Sequence, residues 1–143
     1  KTDPYFRLYI CREVAKTLQY LHSRSVSHCS LKPSNIIIDS DDKIWIMDFG
    51  FLFLKENKSD DLELAFFPRE AYSGKLDNYT DSFSFGKLPH IPGNFPSVLS
   101  KVLQSCWNPN PEDRPGFDII VKILNLPDIK VQSLLNILIL DTW

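Results

Sequence analysis

Two short apolar runs constrain this chain more than any other feature: Ile36-Ile37-Ile38 and Lys43-Ile44-Trp45-Ile46-Met47, separated by a polar break. Runs of this length, rich in β-branched and aromatic residues and bounded by turn formers, read as strands. With Asp41-Asp42 as a two-residue turn, they predict a hairpin in which Ser40 faces Lys43, Ile38 opposes Trp45 and Ile36 opposes Met47. Asn35 then opposes Asp48, and directly opposed residues stand roughly 4.5–5.5 Å apart at Cβ. An amide oxygen and a carboxylate that close are hard ligands able to share a magnesium ion. Gly50 lets the backbone turn away afterwards. Taken alone, an Asn and an Asp beside a strand serve more often as turn and cap residues.

Everything else periodic in the chain is helical. Phe6, Ile10, Val14, Leu18 and Leu21 recur at helix spacing over 5–24, with Arg7, Glu13, Lys16 and Gln19 between them. Asp3 suits the N-cap and Pro4 the first helical position. Residues 51–79 show no period and read as a long surface loop. Further helices are predicted from Thr80 to Leu88, over 97–106 and over 116–125, with an irregular, proline-bearing stretch from Lys87 to Pro96. The final segment, 128–140, is apolar on several faces, which predicts a helix covered on most sides. Both ends read as cut, and the chain as a piece of something larger.

The charge balance excludes some functions. Sixteen basic against eighteen acidic residues give a formal charge of −2, which builds no field for nucleic acid or an anionic membrane. No apolar run is long enough to span a bilayer. Cys11, Cys29 and Cys106 are odd in number and widely spaced, which suits free thiols in a reducing cytoplasmic setting. His22, His28 and His90 supply no zinc spacing with them. The expected partners are other proteins or the rest of the same polypeptide.

The segment His28-Cys29-Ser30-Leu31-Lys32-Pro33-Ser34-Asn35 resembles the H-R-D-L-K-P-x-N loop of protein kinases, and Asp48-Phe49-Gly50 follows at the spacing those enzymes use. Pro68-Arg69-Glu70 resembles A-P-E. Thr80-Asp81-Ser82-Phe83-Ser84-Phe85-Gly86 resembles the opening of the family's central helix. Cys106-Trp107, Pro111, Arg114-Pro115 and Phe117 resemble its C-W-x-x-x-P-x-x-R-P-x-F signature, in the form found in tyrosine kinases and the tyrosine-kinase-like group. Tyr20-Leu21-His22 fits the end of the helix before the loop. The resemblance covers roughly 5–126.

It implies a mainly α fold, a kinase-like C-terminal lobe over 1–126 with one small hairpin, α+β only as part of a whole kinase domain. The tail 127–143 would begin a further helical domain. It also implies roles. Ser30, at the degenerate base position, and Lys32 would be the catalytic positions, and Asn35 and Asp48, with Lys32 retained beside them, would serve magnesium and ATP in the full-length protein, with no cofactor expected for this segment alone. His28, Phe49, Gly50, Glu70, Asp81, Trp107 and Arg114 would be structural, with Arg114 paired to Glu70 and Asp81 accepting backbone hydrogen bonds from the loop.

The departures matter as much. Ser30 occupies the position of the aspartate that orients the substrate hydroxyl and accepts its proton. A neutral hydroxyl cannot do this near pH 7, and general-base catalysis typically contributes about 10²–10⁴-fold. Cys29 replaces the arginine that meets the activation-segment phosphate. The glycine-rich loop, strand lysine and helix glutamate have no counterpart in this chain. Only nineteen residues separate Gly86 from Cys106, too few for the family's substrate-docking helix. These departures predict a pseudokinase acting as a scaffold, against two alternatives: an atypical serine/threonine kinase, and a purely structural part of a larger assembly.

Overall fold

The first helix follows directly from its apolar spacing. In the computed structural model, which describes residues 4–49, 65–88, 96–127 and 129, helix α1 spans Pro4–Ser23 and buries Leu8, Val14, Ala15 and Leu18. It ends in a Schellman arrangement, with Val26 N–H donating to Leu21 O at 3.0 Å and Ser25 N–H to His22 O at 3.0 Å. Ser25 takes the left-handed position at φ 58°, where glycine is usual.

Strands β1 (Ile36–Ile38) and β2 (Ile44–Ile46) form the predicted antiparallel hairpin, but in a different register. Ile36 pairs with Ile46, Ile37 with Trp45 and Ile38 with Ile44. The loop has three residues, not two: Asp39 donates to Lys43 O, and Asp42 sits at φ 59°. That is a turn followed by a left-handed residue, the usual three-residue hairpin, and aspartate tolerates the left-handed region. A one-residue slip moves every side chain to the other face. Ile36, Ile44 and Ile46 therefore pack on the core, while Ile37, Trp45 and Met47 are exposed. Asn35 now faces Met47, whose N–H donates to Asn35 O at 2.9 Å, and does not oppose Asp48.

Helix α2 spans Asn78–Lys87, two residues earlier than predicted, because Asp77 caps it in a capping box with Thr80. Helix α3 spans Ser97–Ser105 and helix α4 Phe117–Leu124. Short 3₁₀ turns at Pro33–Asn35, Arg69–Ser73 and Pro111–Asp113 join the pieces. The core is one cluster in which α1 packs on α4, with Phe85, Leu99, Leu103, Ile120 and Ile129 at its centre. Arg12 Nε closes the end of α4 on Leu124 O at 2.7 Å. The predicted N-cap Asp3, Gly50 and nearly all of the apolar tail lie outside the described residues.

Candidate functional site

The loop between α1 and β1 has almost no regular structure, so its shape depends on side chains from elsewhere. Asp81, fully buried on α2, supplies most of the order. Its Oδ2 accepts the N–H of His28 at 2.7 Å and its Oδ1 that of Cys29 at 2.7 Å. His22 Nε2 donates to the same Oδ2 at 2.8 Å. A buried carboxylate must be paired and hydrogen-bonded to be tolerated, and here three donors from two segments meet that need.

His28 ties the loop to the strand. Its Nε2 lies 2.9 Å from Met47 O, so that nitrogen carries the proton, and Nδ1 accepts the N–H of Ser30 at 3.2 Å. Burial pushes the imidazole below its usual pKa, with Asp81, the Met47 carbonyl and Asp48 opposing the shift. The ring packs against Phe49 at 4.6 Å between centroids.

Ser30 is buried, and Asn35 Nδ2 donates both to its carbonyl at 2.7 Å and to its Oγ at 3.2 Å. Both bonds use the amide nitrogen of Asn35. Asp48 is exposed at φ 60°, a region where a non-glycine residue is uncommon. An amide oxygen and a carboxylate are donor types that a hard cation such as magnesium takes, but the observed register does not set Asn35 opposite Asp48. Among the described residues there is no cluster of three or more histidine, cysteine or carboxylate groups suited to a metal. Lys32 lies in the same loop and is half-buried.

Cys29 also takes a left-handed conformation, φ 57°. Its thiol is buried and pushed up to about 12 by desolvation and by the Asp81 and Asp77 carboxylates, so it stays a neutral thiol. No cation stands at this position to receive a phosphate.

The second group of expected residues lies apart from the loop. Arg114 pairs with Glu70 at 2.5 Å, donates to Tyr79 O at 3.2 Å and, through Nε, to Asn108 O at 2.9 Å. The arginine side chain is 1% exposed and the glutamate 19%. Arg114 also stacks over Phe83, which shares Lys87 with Trp107 in a column of alternating rings and cations. Gly86 allows Trp107 its place: a Cβ there would stand 2.6 Å from Trp107 Nε1. The His22–Asp81 bond and the Lys87 stack have no local sequence signal, since their partners are joined only by the tertiary fold.

Comparison with known proteins agrees with this geometry. A protein kinase domain model matches residues 6–88. The chain is 28% identical to a probable inactive serine/threonine-protein kinase of Dictyostelium discoideum, over 85% of this chain and 8% of that protein. It is 29% identical to a second protein of the same description and organism, over 92% and 15%. It is 28% identical to the dual specificity protein kinase shkA of Dictyostelium discoideum, over 82% and 30%. The chain thus spans 8 to 30% of the length of these three relatives. Among the described residues, no helix is long and apolar enough to cross a membrane.

Proposed function

Because this chain belongs to the protein kinase family, we propose that it is the pseudokinase form of that domain, a module that binds other proteins and does not transfer phosphate. The observation that carries this reading is Ser30, a buried neutral hydroxyl bonded to Asn35, where the family places its catalytic carboxylate. Loss of the general base removes about 10²–10⁴-fold of rate. Two relatives described as inactive kinases support the reading, while shkA is described as a kinase.

Asn35 and Asp48 would hold magnesium, and with it the phosphates of a nucleotide, whose charge the ion would neutralise. The exposed face of Ile37 and Met47 beside Asp48 would lie under an apolar base. Binding without turnover would then serve to set the shape of the domain for its partner. The cytoplasm is the expected location.

The test is a pair of measurements on the full-length protein. Phosphotransfer to itself and to a generic substrate should not exceed that of an Asp48→Ala control. Magnesium-ATP should raise the melting temperature of the wild type and not of Asp48→Ala. Phosphotransfer abolished by Asp48→Ala would make the protein an active atypical kinase. Absence of any nucleotide shift would leave a purely structural segment.

A further inference from the structure

We draw no further inference here: the strongest candidate, the exposed apolar face of the hairpin where Trp45 stands beside Ile37 and Met47 with its indole N–H on Asp39, belongs in part to the site already described, and nothing in the structure shows what covers the rest of it.

Discussion

Asp81 and His28 are joined by a hydrogen bond of 2.7 Å between a helix side chain and a loop peptide, 53 residues apart in sequence. With the parallel bond to Cys29 and the His22 contact, this one carboxylate defines the path of the loop. Replacing Asp81 by alanine strands three buried donors, each at a cost of about 1–3 kcal/mol. Asp81→Ala is therefore expected to lose at least about 3 kcal/mol in urea denaturation. Asp81→Asn, which keeps one acceptor, should lose less. Equal losses for the two would show that the acceptor count does not matter.

Arg114 is the more buried partner of its pair, so removing Glu70 and removing Arg114 are not equivalent. Glu70→Ala leaves a buried guanidinium with only two carbonyls and should cost about 3–5 kcal/mol. Arg114→Ala leaves a carboxylate that is partly in water and can be resolvated. Its cost comes from the lost packing on Phe83 and the freed carbonyls of Asn108 and Tyr79. A loss below about 1 kcal/mol for either variant would place the pair among exposed contacts.

His28 makes stability depend on pH. Its folded pKa lies below the ordinary value of 6.5 because burial penalises the charged ring. Above that value both folded and unfolded states are neutral at this position and nothing is gained or lost. As pH falls below it, the unfolded chain takes up the proton first, so unfolding is favoured. Denaturation midpoints should fall between pH 7 and pH 5, and the His28 ring should titrate below a free histidine in NMR. A ring that titrates above 6.5 would reverse the sign.

Gly86 predicts a steric penalty of unusual sharpness. An added methyl would meet Trp107 Nε1 at 2.6 Å, Cys106 Cβ at 2.7 Å and Leu103 O at 2.9 Å, so α2 and α3 must separate. Although alanine is the better helix former, Gly86→Ala should lower stability by about 1–3 kcal/mol. The indole fluorescence of Trp107 should change with it. A stabilised variant would mean that the two helices yield without resistance.

The helices and the hairpin were legible in the sequence because their signals are local: apolar period, proline at a first turn, β-branched runs. The register was not. Ser40-Asp41-Asp42 carries no glycine to mark the left-handed third residue, and an aspartate that tolerates φ 59° gives no warning. The early start of α2 had a faint signal in Asp77 and Thr80, a capping box without its usual glutamate. Within the site, the loop residues were recognisable from their order along the chain, and the motif-derived expectation that Asp81 holds loop peptides describes the geometry found. His22 reads in the sequence as the end of a helix, since nothing near it announces Asp81. The Lys87 stack on Trp107 was likewise invisible, a contact across 20 positions between residues that each look ordinary.

The anchoring of the loop on α2 also fixes an order of assembly. Its peptide groups exchange water for a protein acceptor only when a helix more than fifty residues downstream has docked, and closing a segment of that length costs roughly 3–4 kcal/mol in chain entropy. Local hydrogen bonds within the loop are too few to meet that cost in advance. A ribosome that has released only α1 and the hairpin has therefore made the motif without the carboxylate that shapes it.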